Sequence, residues 1–336
     1  MADITIIGAG SWGIALATVL SKNGHNVTIW SIVKSEIEML KECHEHKDKL
    51  PGVILDDSIV FTDDILTASK DKDLFVMAVP SPYTRSTSHL FAPYIEKDKI
   101  IVNVAKGIEE DTLDTLTDII KEEIPQAKTA VLSGPSHAEE VSRGIPTTCV
   151  VGADNKESAE YIQNIFMNEY FRVYTSPDVL GIELGGALKN VVALAAGIAD
   201  GLGYGDNTKA ALITRGIHEI TRLGLAMGGK IESFTGLTGI GDLIVTCASM
   251  HSRNRRAGIL IGQGKTMQEA MDEVKMVVEG VYSAKAAMKL AKKYNVEVPI
   301  IEPVNLILFE DKKASEALKD LMGRDKKAEA TTLEWN

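Results

Sequence analysis

Cysteine is scarce in this chain. Cys43, Cys149 and Cys247 are the only three in 336 residues, an odd number at wide spacing with no metal-ligand pattern. That argues against a disulfide-stapled scaffold and a cysteine-held metal centre, so no metal is expected and a reducing intracellular compartment is. Positive charge is not in surplus either. With a formal net charge of −11 the whole molecule repels nucleic acid and anionic membranes, and neither is an expected partner. An anionic ligand then has to be captured by a local basic cluster. No uninterrupted apolar run approaches the ~18 residues that suggest a membrane span. The opening MADITIIGAG shows no basic leader and no cleavage site, so a cytoplasmic location is expected.

What is there reads as two halves. The length allows two domains, each with its own core. Up to about residue 180, short apolar runs alternate with helical patterns. ITII (4–7), VTIW (27–30), LFVMAV (74–79), IIVNVA (100–105) and TAVLS (129–133) predict buried strands. Residues 11–23 and 112–123 predict helices between them, and 147–153 and 171–175 predict two closing strands. This alternation implies an α/β, doubly wound, mostly parallel sheet of Rossmann type, in a dinucleotide-binding domain over 1–180. Long helical patterns rich in Ala, Gly and Leu follow, so an all-α C-terminal domain is expected over 181–330, with 331–336 as a flexible tail.

Between the first strand and helix, Gly8, Gly10 and Gly13 stand at G-x-G-x-x-G spacing. The first permits a tight turn, the second admits a pyrophosphate close to the backbone, and the third lets helix and strand touch. The helix that begins there turns its free N–H groups and positive dipole end toward the phosphates. The end of the next strand reads WSIVKSE, with Ser31 and no acid until Glu36. An NAD site usually carries a carboxylate there. Its absence leaves a 2′-phosphate unrepelled, with Lys34 within reach to hold one, and both NAD and NADP are admissible.

The stretch LGGALKNVVALAAGIADG (184–201) raises the sharpest question. Between Glu183 and Asp200 its only ionisable side chain is Lys189. On a helix, Lys189 shares a face with Gly185, Val192, Ala193 and Ala196, and the other side (Leu188, Val191, Leu194, Ala195) is apolar too. Such a helix is buried, which hinders snorkelling to water. Desolvation lowers a lysine pKa, so proton exchange near neutral pH becomes feasible. A structural ion pair is the alternative. GLTGIGDLIVTC carries one charge, Asp242, in an equally apolar setting, and each group suggests the other as partner. Lys106-Gly107 closes a predicted strand at the sheet edge where open α/β folds bind ligands. The turn Gly134-Pro135-Ser136 and the loop residue His137 come from the same edge. Arg253, Arg255 and Arg256 follow Ser252, a predicted helix N-cap, and could bind phosphate or pair with surplus carboxylates.

Together GAGSWGIALA, AKGIE, SGPSHAEE, the stretch GGALKNVVALAAGIADGLGYGDNTKAALITRG, GLTGIGDLIVTC, SRNRRAG and VVEG resemble the soluble, bacterial-type NAD(P)-dependent glycerol-3-phosphate dehydrogenases, in order and over nearly the whole chain. The resemblance implies reduction of dihydroxyacetone phosphate to sn-glycerol 3-phosphate, the phospholipid backbone precursor, with NADPH or NADH and no metal, by a homodimer. It implies Lys189 as general acid/base, clustered with Lys106, Asp242 and Thr246. Gly134, Ser136, Ser252, Arg253 and Asn254 would contact substrate. Ser11, Trp12, Ala138, Arg253, Val277 and Glu279 would line the cofactor site beside the glycine loop, and Lys106 would touch both ligands. Two positions depart from the family: Ile32 stands where Arg or His is usual, and His137 where an aromatic residue is frequent. Rival readings are another two-domain dehydrogenase for a hydroxyacid or sugar acid, and a non-catalytic dinucleotide sensor. The first would share both halves without needing the arginine cluster. The second would need the glycine loop but not the buried ionisable groups.

Overall fold

The structure, a computed structural model, describes residues 1–326, 328 and 329. The predicted tail, 331–336, lies outside them. The strands are β1 (Asp3–Ile7), β2 (Asn26–Trp30), β3 (Val60–Thr62), β4 (Leu74–Met77), β5 (Ile100–Asn103), β6 (Lys128–Ser133), β7 (Thr147–Ala153) and β8 (Phe171–Ser176). They form one sheet in the order β3-β2-β1-β4-β5-β6-β7-β8. All neighbours run parallel except β6 and β7. Between the strands lie α1 (Ser11–Lys22), α2 (Lys34–Cys43), α3 (Ile65–Ser69), α4 (Thr84–Phe91), α5 (Leu116–Glu123), α6 (Ala138–Val141) and α7 (Lys156–Phe166). In the register Ile4 meets Val27 on one side and Leu74 on the other. All three are buried, as a sheet covered on both faces requires.

After Asp178 only helices follow: α8 (Val179–Gly201), α9 (Asp206–Ala226), α10 (Ile231–Thr235), a π-helical turn (Leu237–Gly241), α11 (Asp242–Ala248), α12 (Arg253–Gly262), α13 (Met267–Val274), α14 (Glu279–Tyr294), α15 (Ile301–Phe309) and α16 (Ala314–Met322). Asp178 caps α8 by accepting the Gly181 N–H at 3.0 Å. Residues 181–199 of α8 are all buried, the two-sided apolar pattern having filled the centre of the second core. By length and composition α8 could cross a membrane, but 83% of that window is buried inside the protein.

Three expectations need correcting. β3 was not anticipated: it is a three-residue edge strand, too short to show a period. The strands predicted to reach Val79 and Ala105 end at Met77 and Asn103, because the chain turns out of the sheet at its C-terminal edge. There the Asn103 carboxamide brackets Ala105, accepting its N–H and donating to its carbonyl, both at 3.1 Å. The helix predicted from 112 starts at Leu116, since Ile108 forms a bridge with Thr115 and the loop between them doubles back.

The packing that places the later helices is a backbone contact between α8 and α12. A Cβ on Gly258 would lie 2.3 Å from the Leu194 carbonyl oxygen, and one on Gly197 would lie 2.2 Å from that of Arg255. Gly201 and Gly262 meet one turn further along. Gly258→Ala is therefore expected to lower stability by about 1–3 kcal/mol, the range for overpacking. Thermal unfolding would show this as a reduced Tm.

Candidate active site

A cleft of about 910 Å³ opens at the C-terminal edge of the sheet and is walled by both halves of the chain. At one end the glycine loop forms its floor. Gly8 has φ +118°, a region that L side chains rarely adopt. A Cβ on Gly13 would come within 2.4 Å of the Gly8 carbonyl oxygen, so α1 starts hard against β1. Gly10 faces the cleft with no atom nearer than 3.9 Å to its would-be Cβ. Ser11 and Trp12 open α1 beside it and also line the cleft. The backbone cradle thus fits a pyrophosphate on a helix N-terminus.

Deeper in, one carboxylate joins two lysines. Asp242 Oδ1 accepts from Lys189 Nζ at 2.9 Å, and Oδ2 accepts from Lys106 Nζ at 2.6 Å. Lys189 also donates to Thr246 Oγ1 at 2.6 Å, and that hydroxyl donates to the Asp242 carbonyl at 2.6 Å. Lys106 donates further to the Gly134 carbonyl at 3.0 Å. Lys189 and Asp242 are 5% and 2% exposed, and Lys106 joins them from a half-buried position. Burial, only partly offset by Asp242 and reinforced by Lys106, brings the Lys189 ammonium down to about 8. Burial would raise Asp242, but the two ammonium groups outweigh it and hold the carboxyl below its ordinary value.

The arginine cluster divides. Arg255 turns away, pairing with Asp200 at 2.7 Å. Arg253 and Arg256 line the cleft, and Arg253 has no hydrogen bond or ion pair among the described residues. Ser252 caps α12, its hydroxyl accepting the Arg255 N–H at 3.2 Å. The N–H groups of Arg253 and Asn254 in the first turn remain for a ligand.

Other sequence-predicted residues fall in different places. Ser136, Ala138, Val277 and Glu279 line the cleft. The Glu279 carboxylate is occupied, accepting the Ser81 N–H at 3.0 Å. Asn254 borders the cleft, but its carboxamide donates to Asn190 at 2.9 Å and accepts the Gly280 N–H at 2.8 Å. Gly13 and Gly134 lie behind the lining: the first packs α1, the second anchors Lys106. His137 faces the cleft with Nε2 buried and unpartnered, and burial with the nearby Lys189 charge lowers its pKa. Sequence reasoning passed over Asn190, Ser81 and Lys49, whose polar neighbours come from distant segments. Lys34, assigned a possible hold on a 2′-phosphate, is 80% exposed, reaches toward Asp63 at 4.0 Å and does not line the cleft.

Comparison with known proteins gives the arrangement its context. Residues 3–159 match the family described as NAD-dependent glycerol-3-phosphate dehydrogenase N-terminus, and residues 178–319 match its C-terminus. This chain belongs to the NAD-dependent glycerol-3-phosphate dehydrogenase family. It is 67% identical over 335 residues to a glycerol-3-phosphate dehydrogenase [NAD(P)+] of Agathobacter rectalis, covering 100% of both chains. A Fusobacterium nucleatum relative of the same name is 66% identical over 331 residues, 98% of this chain and 99% of that one. The crystal structure of a glycerol-3-phosphate dehydrogenase from Coxiella burnetii superposes with a TM-score of 0.93 at 35% identity, covering 96% of this chain and 99% of that one. Ile32 lines the cleft and is 72% exposed, an apolar side chain at the rim.

Cys247 lies one residue past Thr246 on α11, yet its thiol is buried and pushed up to about 12, as is that of Cys149. Iodoacetamide at pH 8 should therefore label Cys43 in the native protein and leave the other two thiols unmodified until the chain is unfolded. Peptide mass spectrometry would read this out, and native labelling of Cys247 would contradict it.

Proposed function

We propose that this chain reduces dihydroxyacetone phosphate reversibly to sn-glycerol 3-phosphate with NADPH or NADH, Lys189 acting as proton donor and acceptor. The observation that carries the reading is one cleft lined by a dinucleotide cradle, by an arginine with no ion pair among the described residues, and by a buried, anion-tethered lysine. A bound nicotinamide cofactor supplies the hydride. Everything else is work for the protein's own residues. Arg253 and the α12 N-terminus hold the substrate phosphate, a dianion that the molecule's net charge would otherwise repel. That anchor fixes the ketone near Lys189. As the carbonyl oxygen gains negative charge, the Lys189 ammonium donates a proton to it, while Asp242 and Thr246 keep the amine aimed. Lys106 adds a second positive charge beside the developing alkoxide.

The names of the closely similar relatives support the substrate assignment, as does the cationic end of the cleft. A sugar-acid or hydroxyacid dehydrogenase would need no phosphate anchor. A role in phospholipid backbone supply, as a cytoplasmic homodimer, is part of the same proposal.

Lys189→Ala should reduce turnover by about 10²–10⁴-fold while leaving dinucleotide binding nearly intact. Arg253→Ala should raise KM for dihydroxyacetone phosphate by about tenfold or more. Oxidation of NAD(P)H with this substrate, against 3-keto acids under the same conditions, tests the class; faster turnover of the acids would refute it. The pH profile carries its own sign. Reduction needs the protonated amine, so kcat/KM for reduction should fall as pH rises through about 8, while the reverse reaction gains. In Asp242→Asn the raising influence of the anion is gone and burial and Lys106 remain, so the fall should move to lower pH. A profile unmoved in that variant would remove Lys189 as the titrating acid.

A further inference from the structure

At the ribose end of the cleft the chain supplies a carboxylate that its linear order hides. Glu36 stands in the first turn of α2, six positions beyond the last residue of β2, yet it folds back to the strand end. Ser31 Oγ donates to Glu36 Oε2 at 2.8 Å, and the Val33 N–H donates to Ser31 Oγ at 3.2 Å. From the loop after α2, Lys49 Nζ donates to Glu36 Oε1 at 2.5 Å, and buried His46 stands 3.8 Å from the same oxygen. Ser31, Ile32, Val33, Glu36 and Lys49 all line the cleft. Burial would raise the Glu36 carboxyl, but the neighbouring His46 together with the hydrogen bonds from Lys49 and Ser31 outweighs it and brings it down to about 2. It is a fixed anion at any working pH.

We infer that Glu36, held in place by Lys49 and Ser31, selects the cofactor: it accepts a hydroxyl of an unphosphorylated adenosine ribose and disfavours a 2′-phosphate, so that this chain prefers NADH to NADPH. The inference rests on the proposed function only for the ligand being a nicotinamide dinucleotide. The reasoning is one of donors and acceptors. An ionised carboxylate is acceptor-only. With Ser31 and Lys49 bound it keeps lone pairs for a ribose hydroxyl, whereas a phosphate has no proton to offer it. Lys49 lines the cleft beside Glu36 and is already paired with it. A phosphate that captured Lys49 would leave Glu36 uncompensated beside a dianion. Lys34 and Asp63 face each other outside the lining. Ile32 adds no charge at all.

The test uses binary complexes without ketone. Dissociation constants for NADH and NADPH come from fluorescence titration, and those for AMP and adenosine 2′,5′-bisphosphate from calorimetry, on wild type, Glu36→Gln and Lys49→Met. The expected result is NADH tighter than NADPH by about tenfold or more in wild type, with the fragments following the same order. Glu36→Gln should shrink that ratio to within about threefold. Lys49→Met, which leaves the anion less compensated, should preserve or widen it. The inference is overturned if wild type binds NADPH as tightly as NADH, if the ratio is unchanged in Glu36→Gln, or if Lys49→Met selectively loses NADPH, which would make Lys49 a phosphate ligand. Should Glu36→Gln not fold, the wild-type fragment pair decides alone. Selective NADH binding without turnover of dihydroxyacetone phosphate would sink the proposed reaction and leave this inference standing.

Discussion

One buried carboxylate, shared by two ammonium groups, is what the site depends on. Lys106 reaches Asp242 from the end of β5, and Lys189 reaches it from α8, so the ionic contact joins the sheet half to the helical half. Counted as charges the triad is +1. A buried net charge is costly, and breaking such a cluster by removing one partner typically destabilises by about 3–5 kcal/mol. A site that retains it has a use for it. Here the excess positive charge is the quantity that an anionic substrate complements, and it is also part of what lowers the Lys189 pKa. In the proposed reaction, stability and proton transfer are set by the same three side chains.

The triad is only as good as the helices that hold it, and α8 organises most of them. Its glycines let α12 approach at backbone distance, which brings Arg253 to the cleft. Asn190, next to Lys189, is tied through Asn254 to the first turn of α14. At the other end of α8, buried Glu183 accepts the Thr117 N–H at 2.9 Å and the Asn103 carboxamide at 3.3 Å. Asn103 in turn brackets Ala105, the residue before Lys106. A single helix thus fixes both lysines, one as its own side chain and one through a hydrogen-bonded turn. Three polar side chains in an apolar helix (Glu183, Lys189 and Asn190) account for this, each satisfied by a partner from another segment.

Much of this was legible before any coordinates, for a physical reason. A charge inside an apolar run breaks a pattern, so Lys189 and Asp242 announced both their burial and each other. The glycine loop was legible because its spacing answers a local demand of the strand-to-helix turn. What could not be read was set by contacts between distant segments. The edge strand β3 exists through its pairing with β2, not through a period of its own. The start of α5 is fixed by a bridge and by Glu183 rather than by the helical pattern around residue 112. Asn254 looked free to meet a ligand, and its carboxamide instead holds two helices together. Glu36 looked too far along to matter, because a one-dimensional count does not show a helix start folding back on its strand.

On the proposed reading the two ends of the cleft treat phosphate in opposite ways, and that contrast follows from how each end satisfies its charges. At the Arg253 end the guanidinium makes no hydrogen bond or ion pair among the described residues, Glu279 and Glu139 acting on it only at longer range, so an incoming phosphate gains a cation without breaking a pair. At the Glu36 end the nearby ammonium already has its anion, so a phosphate would have to break a pair before making one. Selectivity between two phosphorylated ligands therefore does not require a larger basic patch. It requires that one cation be left without a partner and that the other be given one.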